Sequence, residues 1–375
     1  MVAGEASGDG LGAALMDALS ARHAGLTFIG AGGPGMRARG LECTIATERL
    51  TMNGYLEPVL RLPWLLRARR RLLEDFARSG IQAFVGVDFN GFNLILERSL
   101  KRRGLVTCHY VSPAVYAWRA ERLRRFHRAM DLVLTLYPFE PDLYADTPVE
   151  AVFVGHPLAD RLAPPADRAR LRAGLGVAES TLLLAVLPGS RPAELKRLLA
   201  PFVAAVSRVL QARADAEAVF AAVDSRAAAK ISSAVHGSLP LERVRIVTGR
   251  SADVLAAADF ALVKSGTGTL EAMLLGVPMV VAYRLDPLSA RIVRARLRTP
   301  WVALPNILAR ESLVPELLQE DASGEALAAA LLAQLPRRAE LAVRFAALAR
   351  KLRQNASERA ADALLGLLQR RGVLQ

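Results

Sequence analysis

Lysine, cysteine and aromatic side chains are scarce in this chain. Its two cysteines, Cys43 and Cys108, have no metal-type spacing, so they read as reduced, small apolar residues of a cytoplasmic protein rather than as a disulfide framework. Lysine occurs only at Lys101, Lys196, Lys230, Lys264 and Lys351, and nearly all of the +13 net charge is arginine. Composition bias explains most of those arginines, yet the excess also suits an anionic partner: nucleic acid, phospholipid head groups or a phosphorylated substrate. Aromatics make up only 6%, and no interleaved aromatic platform or recognition helix accompanies the basic residues, which argues against nucleic acid. No basic–apolar–small leader opens the chain, and no apolar run is long enough to cross a bilayer. Also missing are a G-K-[ST] phosphate loop, a D-x-D pair, a G-x-S-x-G elbow and any His/Cys/Asp set with metal spacing. Neither a metal nor a cofactor is therefore expected.

What is present is a strand–helix alternation along 375 residues, 52% of them hydrophobic and 23% charged, enough for two globular domains. "MVA" is a strand stub: either the first strand is very short or the true start lies upstream. Strand-like runs follow at 26–30, 83–87, 106–112, 132–136 and 151–155. A Pro-rich, charged break at 157–177 reads as a linker. The rhythm restarts at 181–190, with a helix over about 193–212 and strands at 216–222, 243–249, 259–265 and 278–283, and the chain ends in Ala/Leu/Arg-rich helix. The pattern predicts an α/β protein of two doubly wound parallel-sheet domains with a C-terminal helical segment, ligands lying outside the carboxyl ends of the strands in a cleft between the halves.

Several turns carry candidate chemistry. "KSGTGTLEA" (264–272) leaves an apolar strand through small residues whose N–H groups and hydroxyls suit an anion at a helix start; a Ser/Thr-capped joint explains the same letters. "LPGSRPAEL" (187–195) pairs a Gly-Ser turn with Arg191, fit to cradle a phosphate. "AGEASGDGLGAAL" (3–15) places Glu5, Ser7 and Asp9 at a helix start, where they cap the helix or contact substrate hydroxyls. "VGVDFNGFN" (85–93) ends a strand on Asp88, a general base or a helix cap. "GAGGPG" (30–35) fits G-x-G-x-x-G only formally, with Pro34 inside it, and reads as a turn rather than a nicotinamide site. Finally, "PVLRLPWLLRARRRLLEDF" (58–76) mixes Trp64, Leu65 and Leu66 with Arg61, Arg67, Arg69, Arg70 and Arg71; it is either a helix lying on an anionic membrane or one packed on the sheet with solvated arginines.

Taken together, "AGEASGD", "GVDF…FN", "HYVSPAVYAWR", "FVGHPLAD", "LPGSR…E", "SGTGTLEAMLLGVPMVVAYR" and "LPNILA…LVPELLQ" resemble the lipid-A-disaccharide synthase family, in the family's order and over nearly the whole chain. The resemblance implies a GT-B inverting glycosyltransferase with Rossmann-like domains facing across a cleft. One domain (1–165, joined by the helix 345–375) would take the acceptor and face the membrane, and the other (166–344) would bind the UDP-sugar. It implies UDP-2,3-diacylglucosamine as donor and 2,3-diacylglucosamine 1-phosphate (lipid X) as acceptor, at the cytoplasmic face of the inner membrane. It places catalysis on Asp88 and nucleotide or donor contacts on Glu5, Arg191, Ser265, Thr267, Glu271 and Asn306, to which the chemistry of the two turns adds Ser190 and Gly266. The membrane contact falls to Trp64, Leu65, Leu66, Arg67, Arg69, Arg70 and Arg71. The family usually reads G-I-D-A-P-D-F-N; Phe89, Asn90 and Gly91 depart from it and leave Asp88 the sole carboxylate of the motif. A GT-B relative such as a UDP-N-acetylglucosamine epimerase would share the nucleotide loop without needing a membrane face. The oligomeric state is left open, a homodimer included.

Overall fold

The computed structural model describes residues 1–50, 62–113, 128–287, 290–291, 293 and 299–374. The chain forms two compact units: Met1–Asp160 with Leu352–Gln375, and Arg161–Lys351. The first holds a seven-stranded sheet built from β1 (Val2–Ala3), β2 (Phe28–Gly32), β3 (Leu41–Ala46), β4 (Ala83–Val87), β5 (Val106–Tyr110), β6 (Leu132–Thr135) and β7 (Glu150–Phe153), in the order β3-β2-β1-β4-β5-β6-β7. The second holds β8 (Leu182–Leu187), β9 (Ala216–Ala222), β10 (Val244–Thr248), β11 (Phe260–Lys264), β12 (Met279–Tyr283) and β13 (Glu316–Leu318), ordered β10-β9-β8-β11-β12-β13. All pairings are parallel.

Central strands buried on both faces read as continuous apolar runs, as in "LLLAVL" of β8 and "MVVAY" of β12. Two edge strands, β3 and β13, had no counterpart in the sequence reading. "LECTIA" carries polar residues on a partly exposed edge, and "ELL" is only three residues long. β1 is the two-residue strand that the stub suggested.

The C-terminal helix Ala356–Arg370 belongs to the first unit. Its Ala360, Leu364, Leu367 and Leu368 share a core with Leu15, Met16 and Leu19 of the helix Ala6–Arg22, and Arg22 pairs with Glu358 and Asp362. Asp160 holds the start of that helix by accepting from the N–H groups of Gln354, Asn355 and Ala356 at 3.1, 3.0 and 2.7 Å.

The stretch read as a linker is folded. It carries the helices Pro157–Arg161 and Arg168–Gly174, and Arg172, only 2% exposed, donates to the carbonyls of Ala178, Glu179, Thr181 and Ala257 and to Asp259. Asp259 also takes Arg168, Arg338 and the Leu183 N–H. Burial pushes its carboxyl up, but the Leu183 N–H and Arg168 outweigh that and hold it below the usual aspartate value. The stretch reads as a linker because the acidic partner of its Arg172 lies 87 residues further on.

Candidate functional sites

In each sheet the strand order reverses once, and a doubly wound sheet leaves a crevice at the carboxyl ends of the two strands flanking that point. In the second unit those strands are β8 and β11, and the turns leaving them are "PGSR" and "SGTGT". They line a cavity of 570 Å³ with Gly189, Ser190, Arg191, Glu194, Lys264, Gly266, Thr267 and Glu271 on its walls.

 The 570 Å³ cavity is the one at the switch point. The larger groove of 970 Å³ lies between the helices Pro192–Ala212 and Ser225–Val235, and neither turn lines it.

Glycine is required in both turns. Gly189 has φ 115° and Gly266 φ 153°, and a Cβ on Gly189 would lie 2.6 Å from the Glu194 carboxylate. That carboxylate organises the site. Its Oε2 accepts from the N–H groups of Ser190 and Arg191 at 3.0 and 3.2 Å, and its Oε1 pairs with Lys264 Nζ at 2.9 Å. Burial pushes the Glu194 carboxyl up, but Lys264 and the two N–H groups hold it below its ordinary value.

The Ser190 and Arg191 N–H groups of "PGSR" are thus taken, and the groups facing an anion here are Arg191, Lys264 and the start of the helix Thr267–Leu274. Ser265 is committed elsewhere: its N–H donates to the Ala282 carbonyl and its hydroxyl to the Val302 carbonyl. Glu271 does face the cavity. Burial raises its proton affinity, and no hydrogen bond to its carboxylate is found among the described residues. Asn306 lies away from this cavity, fully buried, with its amide bonded to Val314 and Glu316, so it fixes the loop that leads into β13.

In the first unit the flanking strands are β1 and β4, which bring the turns after Ala3 and Val87 side by side. Glu5 is exposed there, at the start of the helix Ala6–Arg22. Asp9 is buried and accepts from the N–H groups of Gly33, Gly35 and Met36 at 2.8, 2.8 and 3.0 Å. The Gly-rich 30–35 turn therefore serves Asp9. Asp88 is half-buried at φ 50°, followed by Phe89 at φ 49°, while Val111 just beyond β5 sits at φ 82°. Side-chain-bearing residues in such regions cost about 1–3 kcal/mol each, and their clustering at two adjacent strand ends makes that place a candidate site. Asp88 Oδ1 accepts from the Asn90 amide at 3.3 Å, and behind Asn90 lie His109 and Glu97.

Glu97 escaped the sequence reading, and Asn90 entered it only as a departure from the family motif. The signal was present: Asn90, Asn93 and Glu97 recur at i, i+3 and i+7 on the apolar helix Asn90–Lys101, and so share one face of it.

In the basic helix Leu62–Arg78, Trp64 and Leu65 are half-buried against the core of Leu72 and Phe76. Leu66 is 46% exposed, and Leu62, not singled out from the sequence, is 51% exposed. Arg67, Arg70 and Arg71 are exposed and Arg69 half-buried; Arg70 pairs with Glu74 at 2.8 Å. Arg61 lies outside the described residues. No helix among the described residues is long and apolar enough to cross a membrane, and no group of three or more His, Cys, Asp or Glu among them is arranged to hold a metal ion.

Two doubly wound parallel-sheet units with their loops gathered at switch points, closed by a C-terminal helix, define a protein of the GT-B class. The solved UDP-GlcNAc 2-epimerase from Neisseria meningitidis, bound to UDP-GlcNAc, superposes with a TM-score of 0.62 at 8% identity over 96% of this chain and 97% of that one. WaaG, a glycosyltransferase involved in lipopolysaccharide biosynthesis, gives a TM-score of 0.52 at 14% identity over 93% and 94%. These likenesses show the fold. The family model described as Lipid-A-disaccharide synthetase matches residues 1–365, and the Lipid-A-disaccharide synthase of Azotobacter vinelandii is 45% identical over 374 residues, 99% of this chain and 98% of its own. The chain belongs to the lipid-A-disaccharide synthase family.

Proposed function

We propose that this protein joins UDP-2,3-diacylglucosamine to 2,3-diacylglucosamine 1-phosphate, forming the β-1,6-linked disaccharide 1-phosphate and UDP. The observation that carries the reading is family membership over the whole chain, matched at residues 1–365. In this reading the cavity at the ends of β8 and β11 takes the UDP moiety. Arg191 and Lys264 attract the diphosphate, the start of the helix Thr267–Leu274 adds its N–H groups, and Glu271 accepts from the ribose hydroxyls. Asp88 takes the proton of the acceptor's 6-hydroxyl as its oxygen attacks the anomeric carbon. The bond from that carbon to the diphosphate breaks on the opposite side, the configuration inverts and UDP leaves with the electron pair. Glu5, on the turn beside Asp88, contacts the sugar.

Both substrates carry acyl chains, so the protein works at a membrane surface. The exposed Leu62 and Leu66 with Arg67, Arg70 and Arg71 form the docking face in this reading, the arginines attracted by anionic lipid. The decisive experiment incubates the purified protein with both lipids and identifies the lipid product by mass. The disaccharide 1-phosphate with equimolar UDP is expected. No disaccharide, together with conversion of UDP-N-acetylglucosamine to its 2-epimer, refutes the reading in favour of an epimerase.

A further inference from the structure

We propose that Asn90, His109 and Glu97 form a buried positioning chain that aims the Asp88 carboxylate at the acceptor hydroxyl. This inference rests on the reading of Asp88 as the base. The Asn90 Nδ2 group donates to Asp88 Oδ1 at 3.3 Å, and Asn90 Oδ1 lies 2.9 Å from His109 Nε2. An amide oxygen only accepts, so His109 carries a proton on Nε2. On the other side of the ring, His109 Nδ1 lies 2.6 Å from Glu97 Oε1, and one further proton sits between those two atoms. Both His109 and Glu97 are fully buried.

The pair is poorly explained as a device for stability. Glu97 Oε2 is buried with no hydrogen-bond partner among the described residues, and burial raises the Glu97 proton affinity while His109 pulls it back. Apolar side chains of the same volume would generally serve stability as well or better. The sheet nevertheless makes room for it: a Cβ on Gly86 of β4 would stand 2.3 Å from Glu97 Oε1.

What the pair does is fix the imidazole with Nε2–H toward Asn90. The amide then cannot turn over without setting an N–H against an N–H, so its NH₂ stays aimed at Asp88. Asn93, one helical turn along, donates to the Asp88 carbonyl at 2.8 Å and holds the residue at its φ of 50°. One carboxylate oxygen is thereby tied to Asn90, and the other is left to accept the substrate proton. The amide carries no proton along the chain; its part is orientation.

The test measures kcat and KM for both lipids, the Kd for UDP and thermal melting in Asn90→Ala, Glu97→Leu and Glu97→Gln, each alone and combined with Asp88→Ala. Asn90 is partly exposed at a helix start, so its truncation is the variant least prone to unfold. Expected are a fall in kcat of about tenfold or more for Asn90→Ala and Glu97→Leu, with KM and UDP affinity within about twofold. Glu97→Gln can still donate to Nδ1 and should keep kcat within about threefold of the parent. None of the three should lower the residual rate further once Asp88 is alanine. Unchanged kcat in Asn90→Ala, with Asp88→Ala inactive, overturns the positioning chain while sparing the base. So does a Glu97→Gln that fails as badly as Glu97→Leu. Near-normal turnover by Asp88→Ala overturns the base itself, and the chain with it.

Discussion

Lys264→Met should weaken UDP binding by about 10- to 100-fold and leave uridine binding unchanged. The substitution keeps the apolar stem, which passes the Tyr283 ring with Nζ 5.5 Å from its centre, and removes only the charge. In the free protein Nζ pairs with Glu194 at 2.9 Å, both side chains being mostly buried at 18% and 14% exposure. It also lies 3.3 Å from where a Cβ on Gly266 would stand, at the start of the helix Thr267–Leu274. The cavity walls thus carry Arg191 and Lys264 against Glu194 and Glu271, a balance that the lost lysine tips to a net negative charge. A phosphate charge about 5 Å from Nζ, at an effective dielectric constant near 20, gains roughly 3 kcal/mol of Coulomb energy. Screening and competition from Glu194 reduce this to about 1.4–2.8 kcal/mol, which is the stated range. Titration calorimetry with UDP and with uridine reads it directly, and the UDP loss should shrink with added salt. Equal UDP affinities for Lys264→Met and the parent at low salt, within about twofold, would refute the assignment of this cation to the diphosphate.

Other expectations follow from the same geometry. Asp88→Ala should lower transfer by about 10²–10⁴-fold while UDP affinity, measured by calorimetry, stays unchanged. Asp259→Ala strands the buried Arg172 and should cost about 3 kcal/mol, lowering the melting temperature by roughly 6–12 °C for a unit of this size. Because the Asp259 carboxyl is held low in the fold, its stabilisation is complete above the unfolded aspartate value and is lost as pH falls through the folded one. The gap between parent and variant melts should therefore close in acid, and a gap that widens as pH falls contradicts the ion-pair account. Reversing the charge of Arg67, Arg69, Arg70 and Arg71 together should abolish sedimentation with anionic vesicles at low salt; full pelleting would place the docking face elsewhere.

The two-sheet architecture was legible because buried parallel strands announce themselves as apolar runs, and the turns after β4, β8 and β11 because small and polar residues interrupt those runs at strand ends. What each turn does with its donors was less legible. Ser265 and Asn306 look like ligand-binding residues, yet their hydrogen bonds close on Val302, Val314 and Glu316, partners set by a loop 37 and fewer residues away that no local pattern reveals. Glu194 is the converse case: it looks like helix-start decoration in "RPAEL" and instead ties both turns of the cavity together. The chain behind Asp88 shows why such links escape a linear reading. Glu97 and His109 are 12 residues apart, but one is on a helix and the other on β5, and only the crossover from β4 through that helix to the parallel β5 stacks them. The polar stripe of Asn90, Asn93 and Glu97 says that this helix faces something polar inside the protein. That its target is a histidine whose far nitrogen bonds Asn90 depends on the register Gly86↔His109, because the same pairing that sets the histidine beside Gly86 gives Glu97 its space. A larger residue at 86 should therefore act on catalysis through Glu97: Gly86→Ala, whose added Cβ meets Glu97 Oε1, should lower kcat with UDP affinity unchanged, and a Gly86→Ala enzyme with parental kcat would show that the space is not needed.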